Sequence, residues 1–208
     1  MINKLLKIGL FNPGSLGTNH DNFIATVDRL DMDVLAINET WLHAGEEGRA
    51  PALAAYRLRH TPRPRGKRTR GGGVGFYIRR GVNARTWPHP VDPLHAMVEQ
   101  MWLTVTFNGK KLAIGTAYRP DWIDVDLFFD ALTDSINSLP VYDNLILLGD
   151  FNEIKIKSKF DIFLSCLNLS QLVTSPTHFT ETSESLIDVV CTDLRAKKIS
   201  LEHVGRLY

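Results

Sequence analysis

Hydrophobic positions along this chain change period repeatedly, from short unbroken runs to helical spacing, alternation and back. Leu5 to Asn12 and Asp33 to Asn38 are short apolar runs that predict buried strands. Between them Phe23, Val27 and Leu30 fall at i, i+4 and i+7, which predicts a helix with Asn19 placed to cap it. The Pro-, Gly- and Arg-rich stretch from Thr61 to Gly73 predicts a loop, and Val74 to Arg79 a further strand. Met97 to Phe107 alternates as an amphipathic strand does, with Val98, Gln100, Trp102 and Thr104 set against Met101, Leu103, Val105 and Phe107. Asn108-Gly109 then predicts a tight hairpin into Lys111 to Tyr118. Phe128, Leu132, Ile136 and Leu139 predict a second helix ended by Pro140. Leu145 to Leu148 is too short for a helix and reads as a strand bounded by Gly149. Phe160 to Leu167 reads as helical, and Leu186 to Cys191 and Ile199 to Val204 as strands.

Hairpins mixed with strand–helix units predict a mixed-sheet α/β or α+β domain. Two sheets packed face to face, with helices outside, would bury this many apolar strands. At 208 residues, with no internal repeat and no interior linker, a single domain is the economical organisation. No apolar stretch approaches the roughly 18 residues that a membrane span needs, so no membrane partner is expected. The first seven residues run into strand-like sequence and show no signal-peptide core. Cys166 and Cys191 lack metal-type spacing and read as small buried hydrophobes in a reducing compartment.

The formal net charge of +1 hides an asymmetry. From Gly48 to Val91 there are eleven Lys or Arg and no Asp or Glu, while the remainder carries 13 basic and 23 acidic residues. Such a chain suits gripping phosphate on one side and keeping carboxylates elsewhere, where they can serve a metal.

Polar residues recur at the ends of the predicted strands. Asn12 ends the first, Glu39 follows the second, Tyr118 ends another, and Asp150 and Asn152 follow Leu145 to Leu148 in Gly149-Asp150-Phe151-Asn152. In an extended chain Asp150 and Asn152 would point the same way. The same four residues also fit a simple turn. Asp188 sits inside an apolar run, where a carboxylate needs a partner, backbone N–H groups or a metal. Polar groups at several strand ends can converge on one sheet edge, a common place for an α/β active site. An oxygen-only donor set without a His/Cys cluster favours a hard ion such as Mg²⁺ over zinc, and that ion with a polarised water suits phosphodiester hydrolysis.

Taken in order, Asn12, Asn38-Glu39-Thr40-Trp41-Leu42, Arg70-Gly71-Gly72-Gly73-Val74, Tyr118-Arg119-Pro120, Gly149-Asp150-Phe151-Asn152 and Leu186-Ile187-Asp188 span nearly the whole chain. Together they resemble the apurinic/apyrimidinic-type endonuclease domain of non-LTR (LINE-type) retrotransposons. That domain belongs to the exonuclease–endonuclease–phosphatase superfamily that includes DNase I. The resemblance implies a DNase I-like four-layer sandwich, two packed mixed β-sheets flanked by helices. It implies an endonuclease that uses Mg²⁺, or Mn²⁺, to nick one strand of double-stranded DNA and so prime target-site reverse transcription. Glu39 with Asn12 looks like the metal site, Asp150 like the group that activates water, Asn152 like a phosphate orienter and Tyr118 like a donor to the scissile phosphate. Asp188 looks like the carboxylate partner of a catalytic histidine. A reverse transcriptase in the same polyprotein and nuclear action, after synthesis in the cytoplasm, are implied in the same way.

Two departures from the family pattern stand out. His178 follows Thr177 where the family has an Arg near the DNA. The Ser-Asp-His sequence of the last strand is not found by Tyr208, and His203 has no Asp before it. A single endonuclease domain over 1–208, short of that strand and motif, is therefore expected. Arg63, Arg65, Lys67, Arg68 and Arg70 lie in a basic loop that can track a DNA backbone or be a solvated loop. The Gly71-Gly72-Gly73 run lacks the Lys-Ser/Thr of a P-loop and reads as a close-packed entry into a strand. Two alternatives remain: a DNA-binding domain of the same fold that has lost cleavage, and a phosphoesterase acting on a lipid or small molecule. Target sequence and oligomeric state are not legible.

Overall fold

A computed structural model of the protein describes residues 5–18, 20–64, 70–88, 92–152 and 157–194. The expectations for the Asn19 cap, for Arg65, Lys67 and Arg68, and for Ile199 to Val204 lie outside these residues.

Two sheets form the centre. The first has four strands in the order β1-β2-β4-β3, namely β1 (Ile8–Phe11), β2 (Val34–Asn38), β3 (Tyr56–Thr61) and β4 (Val74–Arg79). The second has six in the order β5-β6-β7-β8-β12-β9: β5 (Asn83–Trp87), β6 (Glu99–Phe107), β7 (Lys110–Tyr118), β8 (Asn144–Asp150), β9 (Ser170–Gln171) and β12 (Asp188–Thr192). Both are mixed: β1 runs parallel to β2 and β7 parallel to β8, with antiparallel neighbours elsewhere. A small ribbon pairs β10 (His178–Phe179) with β11 (Glu184–Ser185).

Three apolar clusters make the layers. Val34, Ala36, Phe76 and Ile78 of the first sheet pack between the sheets against Leu103, Val105, Ile114 and Leu148 of the second. Helix α1 (His20–Leu30) covers the outer face of the first sheet, with Phe23 and Val27 against Leu35, Ile37 and Tyr77. Helices α2 (Val125–Ser138) and α3 (Lys157–Cys166) cover the outer face of the second, with Phe128, Leu132 and Phe160 against Trp102, Ala113 and Leu147. The expected four-layer sandwich is therefore the fold, since neither sheet leaves an uncovered apolar face. Burying each such side chain stabilises the fold by about 1.5–3 kcal/mol. The Asp124 side chain caps α2 by accepting from the Asp126 and Leu127 N–H groups, worth about 1 kcal/mol.

Three expectations need correcting. β6 is not amphipathic: its two sets of side chains face two different apolar clusters, Trp102 towards the helices and Leu103 towards the other sheet, and both are buried. Cys191 is buried as expected, but Cys166 is exposed, because it falls on the solvent side at the end of α3. The chain around Thr61 is partly strand, with β3 pairing along β4 to Thr61↔Val74. The hairpin turn is as expected, with Asn108 and Gly109 both at positive φ (48° and 75°), the combination a two-residue loop requires.

Candidate active site

Strand register builds the site. Glu99 of β6 pairs with Tyr118 of β7, Tyr118 with Asp150 of β8, and Asp150 with Asp188 of β12. Residues directly opposite one another in a sheet share a face, so these four polar side chains form one row. The row continues the inter-sheet face that carries Leu103, Val105, Ile114 and Leu148, and it ends the apolar layer. β2 meets it from the other sheet and delivers Asn38 and Glu39.

Asp150 is the centre. It is only 3% exposed, and its carboxyl is pushed up to about 7, by burial first and then by the charge of Asp188, with Glu39 adding to the same effect. Two donors oppose that shift: the Asn12 side-chain amide on Oδ2 at 3.0 Å and the Asn152 backbone N–H on Oδ1 at 3.1 Å. Asn38, fully buried, spans the two sheets: its Oδ1 accepts from the Asp150 backbone N–H at 2.8 Å and its Nδ2 donates to Thr116 Oγ1 at 2.9 Å.

Gly149-Asp150-Phe151-Asn152 is both a turn and a site. Alternation stops at Asp150, because Asn152 takes φ 48° and its amide donates to the Arg119 carbonyl at 2.8 Å. Asn152 thus shapes the loop and holds Asp150 through its backbone. Phe151 between them is buried against the rings of Phe128, at 5.0 Å between centroids, and Phe160. Arg119, 5% exposed, turns its guanidinium to the carbonyls of Phe151, Ile123 and Asn152. Gly149 is required for a separate reason: a Cβ there would run into the Ala117 carbonyl of the parallel strand.

Glu39 sits just past β2 at φ 59°, a sparsely populated backbone region for a non-glycine residue. Its Oε2 accepts from Trp41 Nε1 and from the Gly72 N–H, both at 2.6 Å. The Tyr118 hydroxyl donates to the same carboxylate, and burial together with that bond raises the Tyr118 hydroxyl above its ordinary range. Gly71, Gly72 and Gly73 all have positive φ (81°, 73° and 84°). Their turn presents successive N–H groups to carboxylates, Gly72 to Glu39 and Gly73 to Glu99. The run is thus a carboxylate cradle as well as a strand entry, and a Cβ on Gly72 would strike the Arg63 guanidinium.

Glu99 is a site residue that sequence reasoning missed. It is 2% exposed, and burial pushes its carboxyl up while the Gly73 N–H and Arg63 pull it down. Its position on the same strand face as Met101 and Leu103 was the available signal. Arg63, expected on DNA, is drawn inward: Nε donates to Glu99 Oε1 at 2.6 Å, and its guanidinium lies 5.8 Å from the Tyr118 ring centroid and 5.9 Å from that of Trp122. Arg70 stacks over Trp41 at 5.0 Å. Glu39, Trp41, Arg63, Arg70, Tyr118 and Trp122 line an open cleft of about 450 Å³ beside the row.

Thr177 supports the far end of the row, its hydroxyl accepting from the Ile187 and Asp188 N–H groups at 3.2 and 3.0 Å. His178 lies in the ribbon opposite Ser185. Asn12, Glu39, Tyr118, Asp150 and Asp188 are therefore gathered at one end of the inter-sheet layer, with Thr177 behind them.

The donor set suits a hard divalent cation. Among the described residues no three His, Cys, Asp or Glu form a ready cage, which disfavours a site built from protein ligands alone. Mg²⁺ instead takes one or two carboxylates and keeps several waters. A carboxylate offers about four acceptor positions; Glu39 uses three, on Trp41, Gly72 and Tyr118. Asn12 Oδ1 accepts one bond, from the Gly14 N–H, and keeps a lone pair free.

Two packed sheets thus bring a row of polar side chains, the buried carboxylates of Glu99 and Asp150 among them, to one end of the layer between them. Residues 10–204 match the Endonuclease/Exonuclease/phosphatase family, and the chain belongs to it. No curated protein matches it significantly in sequence. Its fold is similar to the endonuclease domain of TRAS1, a telomere-specific non-LTR retrotransposon (TM-score 0.67, 11% identity, 90% of this chain and 84% of the other). It is also similar to the human Nocturnin catalytic domain (TM-score 0.66, 14% identity, 98% and 88%). A mannosyl-6-phosphatase of Bacteroides thetaiotaomicron is similar too (TM-score 0.63, 16% identity, 90% and 85%).

Proposed function

We propose that this protein is a Mg²⁺-dependent endonuclease that hydrolyses a phosphodiester in one strand of double-stranded DNA, as the nicking module of a non-LTR retrotransposon. The observation that carries the reading is the Tyr118–Asp150–Asp188 row, with a buried, proton-hungry carboxylate at its centre. The order of the motifs and the resemblance in fold to the TRAS1 domain support the retrotransposon assignment. Asp150 takes the proton from the attacking water while Asn12 and the Asn152 N–H hold the carboxylate in place. The new P–O bond forms as the bond to the departing strand breaks. The Tyr118 hydroxyl, on Glu39 in the free site, would turn from that carboxylate to donate to the phosphate from the cleft wall. Glu39 and Asn12 would hold the metal, which supplies charge neutralisation at the phosphate and the departing oxygen. Asp188 would orient a histidine, the role it has in the resemblance. DNA is the expected partner, with a reverse transcriptase in the same polyprotein, and the site of action is the nucleus.

The choice of DNA over a sugar or lipid phosphate rests on the Gly48–Val91 segment, which has eleven cations and no acid. The test is conversion of supercoiled plasmid to open circles with Mg²⁺ and with EDTA, beside release of inorganic phosphate from a sugar phosphate. Nicking with Mg²⁺ alone is expected, with no phosphate release. Phosphate release without nicking would contradict the reading, as would cutting in EDTA.

A further inference from the structure

Arg63 lies where the glycine turn, β6 and the open cleft meet, and several neighbours fix its guanidinium. Nε is on Glu99, whose side chain is 1% exposed, and Nη1 donates to the Arg70 carbonyl at 2.7 Å. The rings of Tyr118 and Trp122 lie against it, and the Gly72 backbone closes on Nε. The Arg63 side chain is itself only 11% exposed.

Neutralising Glu99 occupies one of the five N–H groups that a guanidinium carries, and the Arg70 carbonyl occupies a second. The others, on Nη1 and Nη2, have no partner among the described residues. Nη1 lies beside Gly71, which lines the cleft together with Arg63. A methyl group placed on Gly71 would touch Arg63 Nη1 at 3.5 Å and Glu39 Oε2 at 3.3 Å. The guanidinium and that carboxylate are thus no farther apart than one methyl group bridges, yet Arg63 pairs with Glu99 instead.

A cation that follows a DNA backbone is exposed and free to move, and Arg63 is neither. An immobilised, half-buried donor serves where charge develops during a reaction, since it needs no reorganisation at that moment. Glu39 and Asp121 also line the cleft, so a phosphate entering it meets negative charge and needs a fixed cation. The planar fork of a guanidinium matches phosphate oxygens. We propose that Arg63 is a catalytic residue whose Nη groups donate to a non-bridging oxygen of the scissile phosphate, with Glu99, Tyr118 and Trp122 positioning it. Arg63 gives up no proton. It stabilises the negative charge on that oxygen while the bond from water to phosphorus forms and the bond to the departing strand breaks. The reaction rests on the endonuclease reading, so one arm of the test is made without cleavage.

The full chain is used throughout. Nicking of supercoiled plasmid in Mg²⁺ should fall about a hundredfold in Arg63→Ala, the scale of losing one preorganised donor. Affinity for a labelled duplex in EDTA, read by anisotropy, should change far less. Millimolar guanidinium chloride should restore part of the lost rate in Arg63→Ala, against an equal concentration of NaCl, and leave wild type unchanged. Arg63→Lys, whose ammonium has no fork, should stay impaired. Should Arg63→Ala not fold because Glu99 is left unpaired, the double variant with Glu99→Gln is measured in the same way. Without cleavage, inorganic phosphate titrated in EDTA against tryptophan fluorescence should bind about tenfold more weakly to Arg63→Ala. Duplex affinity that falls as far as the rate would make Arg63 a backbone-tracking contact and overturn the proposal. Unchanged nicking or unchanged phosphate affinity in Arg63→Ala would overturn it too. If wild type does not nick while phosphate affinity still depends on Arg63, the phosphate site stands and the endonuclease reading falls.

Discussion

Asp150 couples chemistry to stability within one side chain. A carboxyl raised from 3.8 to about 7 keeps its proton in the folded protein across a range where the unfolded chain has lost it. Proton binding then favours the folded state below about pH 4, and that contribution is lost as the pH rises through 7. At 1.36 kcal/mol per pKa unit the loss amounts to about 4 kcal/mol at most. In metal-free protein, urea denaturation at pH 5 and pH 8 should therefore show Asp150→Asn gaining stability relative to wild type at pH 8 and little at pH 5. His60, buried and lowered by desolvation, contributes with the opposite sign, being lost as pH falls through about 6.5. It is common to both proteins and cancels in the comparison. An unchanged difference between the two pH values would mean that Asp150 ionises as an ordinary carboxylate.

Asn38 is the matching residue on the opposite sheet. It satisfies the Asp150 backbone N–H and Thr116 at once, and no water-filled space is needed between the sheets there. Asn38→Ala leaves both groups buried without that partner, at about 1–3 kcal/mol, read by urea denaturation. Nicking should fall further than stability explains, because β8 loses the bond that sets the height of Asp150. A variant with full activity at saturating Mg²⁺ would reduce Asn38 to a core-packing role.

At the scale of elements, strands with a strong period were legible and their partners were not. β2, β4, β7 and β8 follow from apolar runs, and the β6–β7 hairpin follows from Asn108-Gly109, because these signals are local. β3 was missed since it is an edge strand, Tyr56-Arg57-Leu58-Arg59, whose face towards the other sheet carries Arg57 and Arg59 in place of Val or Ile; β5, Asn83-Ala84-Arg85-Thr86-Trp87, is a mostly exposed edge strand with no apolar run. β9, β10 and β11 are two residues each, too short to carry a period. The site was readable where its residues lie in motifs at strand ends, as Glu39, Tyr118 and Asp150 do. Glu99 and Arg63 were not, because their ion pair joins residues 36 positions apart and exists only once β6 is stacked beside the glycine turn. Asn152 shows the converse: strand alternation aimed it at the phosphate, but the chain had already left the strand.

For the whole molecule, charge is laid out by the topology. The segment from Gly48 to Val91 supplies β3, β4 and β5, so among the described residues Arg57, Arg59, Arg79 and Arg85 stand on strands at the same side of the two sheets. The carboxylate row lies at the end of the layer, one strand spacing from that flank. No helix among the described residues is long and apolar enough to cross a membrane. The sandwich therefore offers a cationic approach to an anionic centre, an arrangement that needs a metal at the end of the path if a phosphodiester is to reach Asp150. The most direct test of that account is plasmid nicking in Mg²⁺ by wild type and by Asp150→Asn, a substitution that keeps the shape of the row and removes its proton acceptor. Open circles from the wild type, with at least a hundredfold lower rate for Asp150→Asn while both proteins show the same melting cooperativity, is the predicted result. Equal nicking by the two proteins would contradict it.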